Sequence, residues 1–165
     1  MNIRRIVKHL MATRGPLARA FPAQSLLAIE QAIAASESAH SGEIRFFVEG
    51  ALHIVPLLRD VSARARAIEV FSQFRVWDTE HNNGVLIYLL LADHAVEIVA
   101  DRGVHARVGT DVWESLCREM EAAFKQTHFE EGVLSGIRAV TQCLIGHFPA
   151  FAGDRNELPD KPVVL

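Results

Sequence analysis

Glu43, Asp78, Asn82, Asn83 and Asp101 are the residues whose types and placing can do chemistry together. Each carries a side-chain oxygen, the donor that a hard cation such as Ca²⁺ or Mg²⁺ takes. The same oxygens accept hydrogen bonds from loop amides equally well. The sequence leaves both readings open, a cation site or a structural polar edge. A second group, Asp93 and His94 with His53 nearby, has the residue types of acid–base catalysis. Asp and His also tolerate turn geometry, and turn chemistry is the reading taken here.

Other catalytic signatures are missing from the sequence. It has no GxSxG elbow, no GxGxxG, no phosphate loop and no HExxH array. Cys117 and Cys143 form no CxxC and share no metal spacing with histidine, so a structural zinc site is not expected. Each falls on an apolar helical stripe, where a free cysteine acts as a small hydrophobe.

Whether the oxygen donors meet depends on the elements that carry them. Residues 43–49 are rich in aromatic and β-branched side chains and read as a first strand. Pro56 opens a helix whose stripe is Leu58, Val61, Ala65, Ile68 and Phe71, with Arg59, Arg64 and Arg66 on solvated faces. Residues 85–92 are an almost unbroken apolar run, as in a strand buried on both faces. Asp93-His94 turns the chain, and residues 95–100 return as an antiparallel third strand.

The first two strands and the helix between them form a β-α-β unit, so those strands should run parallel with a right-handed crossover. Glu43, Asn83 and Asp101 then share one sheet end, with Asp78, His81 and Asn82 in the loop above. Asp93 and His94 mark the opposite end.

Helices frame this sheet. Pro22 suits the first turn of one with Leu26, Ile29 and Ile33 inside. Residues 111–114 (DVWE) and 127–130 (THFE) read as capping boxes for two further helices. Trp77 and Trp113 are expected to be core anchors. The fold class is α/β, a three-layer α/β/α sandwich on a small mixed sheet. Residues 1–20 form a basic amphipathic helix, 21–150 the domain and 151–165 a tail.

Charge is unevenly spread. Residues 1–20 hold Arg4, Arg5, Lys8, Arg14 and Arg19 and no acid, which is +5 in a chain of net −3, leaving −8 for the rest. An acidic body argues against nucleic acid as a partner. Ile3, Ile6, Val7, Leu10 and Met11 make one face of the first helix, with Arg4, Arg5 and Lys8 off it. That helix either docks on its own domain or binds a partner or an anionic membrane surface. No apolar run approaches the ~20 residues that span a bilayer, and no secretory signal is evident. The expectation is a soluble, cytoplasmic chain with a route to the inner-membrane surface through residues 1–20.

The stretches Ser41-Gly42-Glu43-Ile44-Arg45, Asn82-Asn83-Gly84-Val85-Leu86-Ile87-Tyr88, Asp93-His94, Val96-Glu97-Ile98 and Asp101-Arg102-Gly103 resemble the TPM-domain family, also called TPM-type phosphatases. Trp113, Phe124 and Phe129-Glu130-Glu131-Gly132 continue the resemblance, over roughly residues 22–148. The resemblance implies a small α/β/α sandwich of the short, soluble bacterial kind. Some relatives bind divalent cations near acidic loops at one sheet end. A plant thylakoid relative is associated with acid phosphatase activity, and others are membrane-tethered accessory factors.

Relatives often carry Asp where this chain has Asn82. The amide removes one negative charge from the site, and Glu43, Asp78 and Asp101 remain. The function expected is a non-enzymatic accessory or interaction domain with a protein partner and a Ca²⁺ or Mg²⁺ site. Two alternatives stand beside it. One is a metal-dependent acid-phosphatase-like hydrolase. The other is a peripheral membrane factor acting through Arg4, Arg5 and Lys8.

Overall fold

The structure is a computed structural model that describes residues 3–11 and 14–165. Residues 1, 2, 12 and 13 of the expected N-terminal segment lie outside the described residues. In chain order the helices are α1 (Ile3–Met11), α2 (Arg14–Ala20), α3 (Ala23–Glu37), α4 (Ile54–Leu58), α5 (Ala63–Gln73), α6 (Arg102–Val108), α7 (Thr110–Lys125) and α8 (Phe129–His147). The strands are β1 (Glu43–Glu49), β2 (Gly84–Leu90), β3 (Ala95–Ala100) and β4 (Val163–Val164), in the order β3-β2-β1-β4.

The central expectation holds. β1 and β2 pair in parallel from Glu43 opposite Gly84 to Glu49 opposite Leu90. β2 and β3 pair antiparallel, with Leu90 opposite Ala95. Every residue of β2 is buried, as its unbroken apolar run requires. One short turn of 3-10 helix, Leu91–Asp93, makes the reversal, and His94 completes it in the left-handed region at φ 52°.

Two cores result. Ile44, Phe46, Val85, Ile87, Val96 and Ile98 point to the face covered by α3, α6, α7 and α8. Phe47, Leu86, Tyr88, Leu90 and Val99 point the other way, onto Ala67 and Val70 of α5. Alternation along each strand divides the residues between the two faces. The α/β/α layering expected from sequence is therefore observed.

Several local expectations are corrected. The third helix is broken: α4 ends at Leu58, Asp60 adopts φ 55°, and α5 restarts behind Ser62, whose hydroxyl accepts from Ala65 N at 3.1 Å. Neither capping box forms. α7 starts one residue before Asp111, behind Gly109 at φ 87°, and no side chain caps it. Thr127 takes φ 64° ahead of α8, and Glu130 accepts instead from the Ser25 hydroxyl of α3. Trp113 is buried as expected, but Trp77 is half exposed. Arg66 is not solvated. It holds the buried Glu49 carboxylate at 2.8 Å, and the Tyr88 hydroxyl donates to the same carboxylate at 2.7 Å. Cys117 and Cys143 are free.

The segment 151–165, expected as a tail, lies on the sheet. Val163 and Val164 pair in parallel with Phe47 and Val48, and Leu165 N donates to Val48 O at 2.9 Å. Leu158 and Val163 pack on the α5-side core. A two-residue strand has too little pattern to be read, and flanking prolines point away from one.

Candidate functional site

The sheet end that gathers Glu43, Asn83 and Asp101 is a set of locks between neighbouring backbone segments. Asp101 N donates to Gly84 O at 2.8 Å, and Glu43 N donates to Asn83 O at 3.2 Å. Those two bonds hold the starts of β1 and β2 and the end of β3 in one plane. Parallel β1–β2 pairing and an antiparallel β3 put them there, as the topology derived from sequence requires.

Each oxygen donor then has a place. Glu43 is 3% exposed, and its two carboxylate oxygens accept from Glu157 N and Leu158 N, both at 3.1 Å. Asp101 is the residue just before α6, and its Oδ1 accepts from Arg102 N at 2.6 Å. Asn82 sits at φ 53° and accepts from Arg102 Nε at 3.1 Å. The Asn83 amide donates to Ser41 O, and Asn83 N donates to Thr79 Oγ1 at 3.1 Å. Asp78 is exposed in the loop. The structure thus gathers Asn82, Asn83, Asp101 and Glu43 at one end and leaves Asp78 facing solvent.

The glycines of the two motifs explain themselves by close approach. A Cβ on Gly84 would run into the Val76 backbone carbonyl, and a Cβ on Gly103 would stand 2.5 Å from Asn82 O. Only glycine lets those backbones meet. Residues 82–84 and 101–103 therefore interlock through backbone contact as well as through Asn82 and Arg102.

Two buried oxygens at this end, Asn83 Oδ1 and Asp101 Oδ2, have no hydrogen-bond partner among the described residues. They are the buried donors left open to a cation. One carboxylate oxygen and one amide oxygen fall far short of the six to eight ligands Ca²⁺ takes. Among the described residues no group of three or more His, Cys, Asp or Glu is arranged to hold a metal. The residues therefore do not fit a tightly held metal.

Around the segment that Glu43 anchors, acids cluster. Asn156 Nδ2 donates to Glu37 at 2.8 Å and to Asp160 at 2.7 Å. The Glu37 carboxyl is pushed up to about 8, first by burial and then by the nearby Glu43 and Asp160 charges. Burial also raises Glu43, against the lowering effect of its two amide partners. A carboxyl raised on folding keeps its proton in the folded chain after the unfolded chain has lost it. Stability therefore falls as pH rises from the ordinary 4.5 through about 8. Urea unfolding should show a lower midpoint at about pH 8.5 than at about pH 5.5, and Glu37→Gln should flatten that slope.

At the opposite sheet end Asp93-His94 makes the turn expected of it, with His94 in the left-handed region. Asp93 does not pair with His94. Its carboxylate takes Arg5 Nε at 2.9 Å and His9 Nε2 at 3.1 Å. Leu52 N donates to His9 Nδ1 at 3.0 Å, which leaves Nε2 as the ring nitrogen that faces Asp93. Burial would raise the Asp93 carboxyl, but the Arg5 and His9 hydrogen bonds overcome it and hold the group below its ordinary range. Arg5 also donates to Val61 O at 2.8 Å and reaches Asp60 at 3.3 Å.

α1 is thus docked by its polar side. Arg5 faces the domain, whereas Arg4 and Lys8 are exposed. Most of the apolar stripe is turned outward: Ile3, Val7, Leu10 and Met11 are exposed, and Ile6 is half-buried. The backbone groups of Leu52 and Val61 and the Asp93 carboxylate need partners, and Arg5 and His9 supply them one helical turn apart. His9 is the residue that sequence reasoning missed. Its only sequence signal is the i, i+4 spacing from Arg5 on the side opposite the stripe.

A family model of the TPM domain matches residues 17–143. The NMR structure of the BA42 protein from the psychrophilic bacterium Bizionia argentinensis is similar at 31% identity and TM-score 0.77, over 88% of this chain and 95% of that one. The solution structure of the N-terminal domain of a P. gingivalis protein shares the fold at 20% identity and TM-score 0.58, over 73% of this chain and 76% of that domain. No curated protein matches.

Proposed function

We propose that this chain, which belongs to the TPM-domain family, works as an accessory domain that binds a partner, and that its motif-bearing sheet end serves the fold. One observation carries this reading: both oxygens of Glu43, the residue best placed to ligate a cation, are held by the chain's own amides at 157 and 158. Asp101 Oδ1 and Asn82 Oδ1 are committed in the same way to Arg102. Phosphoryl transfer needs groups aimed at the transferring phosphate, and these point at backbone and at each other. Among the described residues no helix is long and apolar enough to cross a membrane, so the domain would meet its partner from the surface.

The reading is tested by turnover of a phosphomonoester with Ca²⁺, Mg²⁺ or Mn²⁺ added. No rate above the protein-free background is expected. Steady turnover that Asp101→Asn abolishes, with the melting temperature kept, would overturn it.

A cation reading of the same end rests on the two open oxygens, Asn83 Oδ1 and Asp101 Oδ2. It supports at most a hydrated ion held mainly by Asp101 and water, as Mg²⁺ accepts. Calorimetry should then give a dissociation constant no tighter than about 10⁻⁴ M, the weak end of protein Ca²⁺ sites, and Asp101→Asn should remove the heat. Micromolar binding would show a fuller ligand set than Glu43 leaves free.

A further inference from the structure

We propose that the exposed face made by α1 and α4 docks on an anionic lipid bilayer. This rests on the interaction reading and names its partner. Ile3, Val7, Leu10 and Met11 of α1 and Ile54, Val55 and Leu58 of α4 are 49% to 74% exposed. Single exposed hydrophobics are ordinary, but seven on two short helices at one sheet end are not.

The bonds that dock α1 reach the residues on either side of α4. His9 accepts from Leu52, two residues before α4, and Arg5 reaches Asp60 and Val61 just after it. The polar side of α1 is consumed by this anchoring, so its apolar side has nowhere to go but outward. An apolar cleft of about 520 Å³ opens beside Lys8 and Met11, floored by Leu91, Ala92 and Phe129.

Charge selects lipid over a protein surface. Residues 3–11 and 53–59 contain no acid, while Arg4, Lys8 and Arg59 are exposed on a chain of net −3. The acids next to the face, Asp60 and Asp93, are paired with Arg5. Apolar side chains flanked by cations, with Arg5 set between the two acids behind them, suit the boundary between acyl chains and anionic headgroups. Nine residues of α1 cannot cross a bilayer, so the helix would lie in the interface plane.

Co-sedimentation with vesicles tests this. The full chain should bind vesicles of about 30% phosphatidylglycerol in phosphatidylcholine, bind pure phosphatidylcholine far less, and release as salt rises. Arg4→Glu with Lys8→Glu should weaken binding at least about tenfold. Leu10→Asp with Leu58→Asp should abolish it, whereas Val112→Asp, an exposed apolar position on α7, should bind like the parent. All substituted side chains are exposed, so unchanged melting temperatures establish that each variant is folded.

Three results would overturn the proposal: no binding by the parent chain, binding that survives Leu10→Asp with Leu58→Asp, or a dimer dissolved by those changes without vesicle binding. The last would assign the face to a second copy. Failure here with no phosphomonoester turnover leaves the accessory reading intact. Turnover with vesicle binding removes that reading and keeps the docking.

Discussion

Gly84→Ala should destabilise the fold by about 3 kcal/mol or more, among the largest effects of any single methyl in the chain. The added Cβ would overlap the Val76 backbone carbonyl, and a carbonyl cannot rotate away as a flexible side chain can. Gly84 also opens β2, opposite Glu43, and its own carbonyl accepts from Asp101 N at 2.8 Å. Moving it disturbs three strand ends at once. Gly146→Ala is the matched control. Its Cβ would meet nothing within 4 Å, and it lies in α8. Alanine there should be neutral or stabilise by up to about 1 kcal/mol. Urea unfolding of the two variants reads the difference.

Glu43→Ala should cost about 3 kcal/mol and free the C-terminal segment. The substitution leaves the Glu157 and Leu158 amides without their acceptor and opens a hole where a buried carboxylate sat. Hydrogen bonds to a charged acceptor contribute about 1.5–3 kcal/mol each, and the two share one anchor, so their losses do not simply add. β4 rests on two paired residues and on Leu158 and Val163 packed against the α5-side core. With the anchor removed, so short a strand should fray. Limited proteolysis should then cut between 150 and 162 in Glu43→Ala and spare the parent. Equal resistance of the two would show that Leu158 and Val163 hold the segment unaided.

The sheet was legible because its residues report two things at once. The unbroken run 85–92 shows burial on both faces, and the two-residue turn at Asp93-His94 shows an antiparallel return. Parallel β1–β2 pairing then placed Glu43, Asn83 and Asp101 at one end, where the structure has them. What the side chains do there was not legible. Glu43 is used by amides 114 and 115 residues away, from a segment whose pattern gives no strand.

The first helix shows a second limit. Ile3, Ile6, Val7, Leu10 and Met11 define an apolar stripe, but a stripe does not say which side is buried. Its orientation was decided by Asp93 and the Leu52 amide, groups distant in sequence that Arg5 and His9 satisfy. Likewise, the capping boxes at 111–114 and 127–130 matched a local pattern, yet Gly109 and Thr127 take left-handed or neighbouring conformations that start the helices elsewhere.

Hydrogen exchange at the Glu157 and Leu158 amides tests the structural role of the motif-bearing end most directly. Both amides should be protected in the parent chain, exposed in Glu43→Ala, and unchanged by millimolar Ca²⁺ or Mg²⁺, because Glu43 is already taken. Loss of their protection on adding cation, with the same cation no longer bound by Glu43→Ala, would contradict this, since Glu43 would then be a metal ligand that exchanges between the strap and the ion.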